Sequence, residues 1–203
     1  MIAIIDYGMG NIHSVNKALQ LLQAKTLVTN KPEDIKKAQK LVLPGVGAFD
    51  DAMAELKKQG LISCIEEQVK DKKPFLGICL GMQLFFEKSQ EAQKYKGFGF
   101  FKGSVKRFKE SKELKVPHMG WNQLKQIADK CPLLKGVREG EYVYFCHSYY
   151  PSPLDKKVIA ATTDYGADFA SVVWKDNLYG VQFHPEKSQK TGLRMLENFV
   201  KLC

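Results

Sequence analysis

Cys79 lies in Gly77-Ile78-Cys79-Leu80-Gly81, with one glycine two residues before the thiol and another two residues after it. This is the spacing of a nucleophile elbow, with sulfur where a serine oxygen more often stands. A nucleophile on a sharp strand-to-helix turn has a strained backbone, and the residues two away must lack side chains for the chain to pass itself. The apolar run Phe75–Ile78 predicts the strand before the turn. The helix formers from Leu80 onward, with polar Gln83 and Glu87 interrupting an apolar face, predict the helix after it. Such a helix would point its positive end at the sulfur and favour the thiolate. A buried structural cysteine is the competing explanation, and the two glycines in this setting weigh against it.

A cysteine nucleophile needs a base, and the chain has four histidines: His13, His118, His147 and His184. His184 follows the predicted strand Leu178–Phe183 and begins His184-Pro185-Glu186. In extended backbone, residues two apart project to the same side, and Pro185 keeps its predecessor out of the helical region. Glu186 is therefore placed to orient the imidazole, completing a Cys-His-Glu set. His147 adjoins Cys146, but neighbours on a strand face opposite ways, so those two cannot form a dyad. Their stretch, Tyr144 to Tyr150, is crowded with polar and aromatic groups and has the character of a pocket wall, with His147, Ser148 and Tyr149 as candidates to bind substrate. His13 and His118 fall on the loop side with no nearby acid in sequence and stay unassigned.

Acyl chemistry at a thiol also needs donors for the developing oxyanion. Leu43-Pro44-Gly45-Val46-Gly47 follows a predicted strand and precedes a helix, and its glycines let backbone N–H groups turn toward a ligand. An ordinary strand-to-helix turn has the same composition, so this loop adds weight only beside the elbow. Gly97 to Gly103 does not match a dinucleotide-binding glycine motif.

These residues need a scaffold, and the first half of the chain supplies one. Predicted strands at Ile2–Ile5, 26–29, 40–43 and 75–78 alternate with predicted helices at 12–22, 33–38, 48–58 and 61–70. That order predicts an α/β fold, a mixed and mostly parallel sheet with helices on both faces, whose site lies beyond the C-terminal strand ends. After Glu91 short strands dominate, at 98–101, 103–108, 116–124, 141–150, 157–163, 169–174 and 178–183, before an amphipathic helix from Thr191 to Leu202. Without linker, repeat or low-complexity stretch, residues 1–203 read as one domain.

Composition narrows the class. Apolar residues make up 44% and charged residues 26% of the 203, as in globular proteins. The apolar N-terminus breaks at Asp6 and reads as a first strand, not a signal peptide. No apolar run reaches the roughly 20 residues of a membrane span. Five cysteines, an odd number without close pairing, indicate neither a disulfide framework nor a zinc site, and point to a reduced, cytoplasmic setting. The net charge of +9 comes from dispersed lysine pairs, without an arginine-rich stripe, which favours a solvated basic surface over nucleic-acid binding. No motif calls for a metal or an organic cofactor.

Taken together, the Pro-Gly-Val-Gly loop, Gly-Ile-Cys-Leu-Gly-Met-Gln and Phe-His-Pro-Glu strongly resemble the class I (triad) glutamine amidotransferases. The resemblance implies that Cys79 attacks the glutamine amide to form a thioester that water hydrolyses. His184 would be base and acid, and Glu186 its orienter. Val46 and Leu80 would supply the oxyanion N–H groups, with Gly47 and Gln83 contacting glutamine. Further stretches, Asp6 to Asn11, Pro117 to Asn122, Tyr144 to Tyr149 and Phe183 to Ser188, are similar to the glutaminase subunits of imidazole glycerol phosphate synthases. That likeness spans nearly the whole chain. It implies a heterodimer with a (β/α)8-barrel cyclase subunit that receives the ammonia for histidine biosynthesis. It also implies interface roles for Asn11, Trp121 and Lys187, and a Pro-Gly-Val loop that rearranges before Val46 can donate. Two alternatives stand beside it: a paralogous glutaminase subunit feeding ammonia to surface-sugar modification, and a relative whose elbow cysteine senses oxidants.

Overall fold

The computed structural model describes residues 1–111 and 114–203. Its first half alternates strand and helix: β1 (Ile2–Ile5), α1 (Ile12–Leu21), β2 (Thr26–Thr29), α2 (Pro32–Lys37), β3 (Lys40–Gly45), α3 (Phe49–Lys58), α4 (Leu61–Lys70) and β4 (Phe75–Cys79). A short α5 (Leu80–Gln83) leads into β5 (Phe86–Ser89), β6 (Phe101–Arg107), β7 (His118–Gln123), β8 (Tyr142–His147) and β9 (Tyr149–Pro153). The chain returns through β10 (Ile159–Asp164), β11 (Asp168–Lys175) and β12 (Leu178–Val181), and ends in α6 (Gln189–Leu202).

Seven strands form the main sheet in the order β10-β11-β12-β4-β3-β1-β2. The five from β12 to β2 are parallel, and β11 and β10 add an antiparallel edge. Alternate side chains leave such strands on opposite faces. Ile2, Ile4, Val42, Leu76 and Ile78 pack under α1 and α6. Ala3, Ile5, Leu41, Leu43 and Phe75 pack against α2, α3, α4 and α5. The mixed, mostly parallel sheet with helices on both faces is the architecture that the alternation predicts.

Local chemistry agrees with these elements. Pro32 starts α2, where its missing N–H costs nothing. In α3, Asp50 and Asp51 occupy the first turn and Lys57 and Lys58 the last, matching the helix dipole at each end. Lys40 on β3 reaches the last turn of α6 and donates to the carbonyls of Phe199 and Val200, both at 2.8 Å, which ties that helix end to the sheet.

Three expectations change. The helix after the elbow is one turn long: the chain leaves it at Leu84, and Phe86 enters β5 opposite Phe101. Phe85 and Phe86 are fully buried in an aromatic cluster with Phe75, Phe100 and Phe101. That burial outweighs the helical spacing. The two strands expected at 98–101 and 103–108 are one, β6, which begins only at Phe101, while Phe98 and Phe100 stack on each other with centroids 5.0 Å apart. The single strand expected over 141–150 is two, broken at Ser148, so that β8 pairs with β7 while β9 pairs with β6.

Candidate active site

The site is assembled where three neighbouring strands end. In the sheet β12, β4 and β3 are adjacent, with Val181 opposite Ile78 and Gly45 opposite Cys79. The strand ends therefore deliver His184, Cys79 and the Val46-Gly47 loop to one place, at the carboxyl edge where parallel sheets carry their sites. Cys79 itself is at φ 54° and ψ −111°, a conformation that non-glycine residues rarely hold. The turn is tight enough to exclude side chains on either flank. A Cβ at Gly81 would stand 1.9 Å from the Leu43 carbonyl oxygen, and one at Gly77 would stand 2.8 Å from the backbone of Gly81.

His184 Nδ1 lies 2.9 Å from Glu186 Oε1, and the Cys79 sulfur is close enough to act on the same ring. The His–Glu contact follows the sequence expectation, but its route differs. Pro185–Lys187 is a turn of 3-10 helix, not extended chain, and it folds the carboxylate back under the ring. Ser188 pins this turn by donating to the His184 carbonyl at 2.6 Å and accepting from the Tyr144 N–H at 2.9 Å. The His184 N–H donates to the Tyr144 carbonyl at 2.9 Å, so β8 and the turn form one unit. Both side chains of the pair are shielded from solvent, and Glu186 Oε2 has no partner among the described residues.

Burial alone would drive the His184 imidazole toward its neutral form, but hydrogen bonds to the sulfur and to Glu186 outweigh it and raise the pKa to about 10. Because the folded value exceeds the ordinary 6.5, the stabilisation is complete below pH 6.5 and is lost as pH rises through about 10. An NMR titration is expected to keep the His184 ring resonances in their protonated positions past pH 8. Glu186→Gln should lower the transition, and a wild-type transition near the ordinary value would contradict the arrangement. The one-turn α5 is too short to build the macrodipole that the sequence suggested for the thiol. Beside the sulfur, the cationic group is His184.

Cys79 and His184 face a cavity of about 340 Å³, while the Glu186 side chain is shielded from it. Of the residues named from sequence, Val46, Gly47, Leu80, Gln83, His147, Ser148, Tyr149 and Lys187 also line it, whereas Asn11 and Trp121 do not. Asn11 precedes α1, which packs on the 185–187 turn, and Trp121 lies in a separate hollow with Tyr142. Leu80 belongs to the first turn of a helix, where N–H groups have no acceptor within the helix. Gln83 is buried, and its amide donates to the Tyr149 carbonyl at 2.9 Å and to Gln182 Oε1 at 3.1 Å. The His147 ring points behind the wall, with Nδ1 2.8 Å from the Tyr149 carbonyl and Nε2 3.0 Å from His118 Nδ1.

Sequence reasoning missed several residues. Gln182 is fully buried and directs Nε2 at the Cys79 sulfur, 3.7 Å away. Its signal was available: it lies two residues before His184 on the same predicted strand. Glu91, Pro117 and Cys146 also line the cavity. Glu91 arrives by accepting from the Phe49 N–H at 2.9 Å, a contact no local pattern announces. His118, left unassigned within the strand expected over 116–124, is a buried residue of β7. Burial lowers its pKa to about 4 and that of His147 to about 3, so both rings are uncharged at neutral pH. Among the described residues, no group of three or more His, Cys, Asp or Glu side chains is arranged to hold a metal ion.

Residues 3–203 match the glutamine amidotransferase class-I family model, and the chain belongs to that family. It is 50% identical to the imidazole glycerol phosphate synthase subunit HisH 1 of Methanococcus maripaludis, with all of both chains covered. It is also 50% identical to the subunit HisH of Syntrophotalea carbinolica over 98% of each chain. Among solved structures, the CTPS glutaminase domain of Trypanosoma brucei superposes with a TM-score of 0.69, covering 98% of this chain and 93% of that one at 17% identity. That likeness is one of fold.

Proposed function

We propose that this chain is the glutaminase subunit of an imidazole glycerol phosphate synthase. It hydrolyses glutamine to glutamate and ammonia, and passes the ammonia to a cyclase subunit. The partner, a (β/α)8 barrel, makes imidazole glycerol phosphate and aminoimidazole carboxamide ribotide in histidine biosynthesis. The observation that carries the chemistry is the Cys79–His184–Glu186 constellation at the ends of β4 and β12, with Cys79 and His184 lining the cavity. The full-length identity to HisH subunits supports the pathway.

Each side chain has a step that its position allows. The sulfur of Cys79 attacks the carboxamide carbon of glutamine with its proton already held on the imidazolium of His184. The carbonyl oxygen becomes an oxyanion, and the N–H groups of Val46 and Leu80 stabilise it. His184 then returns its proton to the leaving nitrogen, releasing ammonia and leaving a thioester on Cys79. Water, deprotonated by His184, attacks the thioester and frees glutamate and the thiol. Glu186 keeps the proton on Nδ1 throughout, so that the other nitrogen is the one that exchanges protons. Gly47, Gln83, His147, Ser148 and Tyr149 hold the substrate.

The docking face adjoins the cavity. Met119 and Trp121 on β7 and Tyr142 on β8 are among the most exposed large apolar side chains, at 62%, 45% and 54%. A patch of this kind fits a protein interface. Lys187 joins face and cavity: it lines the cavity and sits over the Tyr144 ring at 5.9 Å. Asn11, Trp121 and Lys187 contribute to this interface. The test is glutamine hydrolysis by the purified chain, alone and then with the cyclase subunit and a ligand of its nucleotide site. Slow hydrolysis alone and an increase of about 100-fold or more in the complex is expected for a site completed by its partner. Equal and high rates in both would make the chain an independent glutaminase and reopen the pathway.

A further inference from the structure

We propose that His118 and Asn122, which do not line the cavity, are positioning residues for its glutamine wall, acting through a buried chain of hydrogen bonds that ends on the Tyr149 carbonyl. The inference rests on the assignment of Ser148 and Tyr149 to glutamine binding.

Register brings the members together. β7 and β8 pair with His118 opposite His147, which sets the two rings side by side in the interior. Around them stand Phe108, Phe145, Tyr165 and Phe169, with the His118 ring stacked on Tyr165 at 3.9 Å and on Phe145 at 4.6 Å. An apolar box of this kind supplies no water to replace a lost hydrogen bond, so each ring nitrogen must be satisfied by its neighbours.

The direction of the chain is fixed from both ends. At one end the Tyr149 carbonyl can only accept, so His147 carries its proton on Nδ1, 2.8 Å away. Its Nε2 is then an acceptor, and His118 Nδ1, at 3.0 Å, must donate to it. At the other end the Gln123 N–H donates to Asn122 Oδ1 at 2.7 Å, and Asn122 Nδ2 donates to the Asp164 carbonyl at 2.9 Å. The amide orientation of Asn122 is thereby set, and its Nδ2, 3.2 Å from His118 Nε2, donates to that ring as well. Read from either end, both rings are neutral with the proton on Nδ1. Agreement between two independent ends leaves no alternative arrangement that satisfies every group.

The terminus of the chain is the wall itself. The Tyr149 carbonyl accepts from His147 and from Gln83, and Gln83 in turn donates to Gln182, whose amide meets the Cys79 sulfur. Tyr149 opens β9 just after the break at Ser148, where the chain leaves β8 and takes up pairing with Arg107 at the end of β6. Its carbonyl is held by two side-chain donors. Removing the His118 donor leaves His147 Nε2 unsatisfied in an apolar box, and the ring that anchors Tyr149 loses its fixed orientation.

Two substitutions separate hydrogen bonding from packing. His118→Phe keeps an aromatic ring for the stack and deletes both nitrogens, whereas His118→Asn places an amide N–H near the Nδ1 position. In the complex with the cyclase subunit, His118→Phe is expected to raise KM for glutamine by about tenfold with kcat within about twofold. His118→Asn should bring KM back to within about threefold of wild type. Ring 15N shifts of His118 and His147 in the wild-type chain should both report the Nδ1–H tautomer at pH 7. Should His118→Phe fail to fold, Asn122→Ala is the second variant, expected to raise KM several-fold and to release His118 from that tautomer. Equal KM values for His118→Phe and His118→Asn, an unchanged KM, or an Nε2–H tautomer at His147 would each overturn the inference while leaving the glutaminase assignment standing. A wild-type complex without glutaminase activity would overturn that assignment, and the inference with it.

Discussion

Cys79→Ala is expected to reduce glutamine hydrolysis by about ten-thousandfold or more, while the cyclase partner supplied with ammonium salt continues at its wild-type rate. The size follows from covalent catalysis. Without sulfur no thioester forms, and water must attack an amide directly, helped only by oxyanion donors and binding. The split between the two reactions follows from where Cys79 stands. It is almost wholly buried in the floor of the cavity, at 6% exposure, while the exposed apolar side chains lie on the β7–β8 ribbon. Deleting one sulfur atom leaves the ribbon and its docking face untouched, and alanine tolerates the positive φ no worse than cysteine does. A kinetic assay with glutamine and with ammonium as alternative nitrogen sources separates the outcomes. Loss of both reactions would mean that the elbow shapes the complex as a whole. Retention of glutamine hydrolysis would remove Cys79 from the chemistry.

The elbow was legible because its demands are local. Gly77, Cys79 and Gly81 lie within five positions, and the clash that each glycine avoids is with a backbone fixed by the same turn. His184 and Glu186 were legible for a related reason, since two residues separated by proline stay close in any conformation. The predicted path was extended and the observed one is 3-10, yet the contact survives the difference. Parallel strand order could be inferred too, because strands that alternate with helices have few right-handed ways to pair.

What depends on pairing across long separations was not legible. His118 stayed unassigned because its partner, His147, is brought opposite it only by the β7–β8 register. Residues 83 to 101 illustrate a second limit. Their spacing is compatible with a longer helix, but Phe85, Phe86 and Phe101 gain more by closing one aromatic cluster than a second helical turn would give. The propensity signal there is a few tenths of a kcal/mol per residue, against roughly 2 kcal/mol for burying each phenylalanine.

Gly81→Ala is expected to lower the melting temperature by roughly 10 °C, corresponding to a loss of about 3 kcal/mol or more, and to cost glutaminase activity at least about 100-fold. The added Cβ would lie 1.9 Å from the Leu43 carbonyl oxygen and 2.9 Å from its carbon. No rotamer change relieves this, because both parties are backbone. Either β3 moves away from the elbow or α5 tilts, and each movement reaches the site. Leu43 pairs with Gly77, and two residues later β3 ends in the Val46-Gly47 loop, so displacement of β3 carries the oxyanion donor with it. A tilt of α5 swings Leu80 and Gln83 instead, separating the second donor from Cys79 and breaking the hydrogen bond to Tyr149. Gly60→Ala is the matched control. Gly60 also has a positive φ, +68°, but a Cβ there meets nothing within 4 Å, so the cost is limited to about 1 kcal/mol of left-handed strain. Thermal denaturation and kcat/KM measured on both variants distinguish close approach from backbone strain. Similar small losses in the two would mean that strand and helix do not press together at the elbow, and the sharp turn that presents the sulfur would need another explanation.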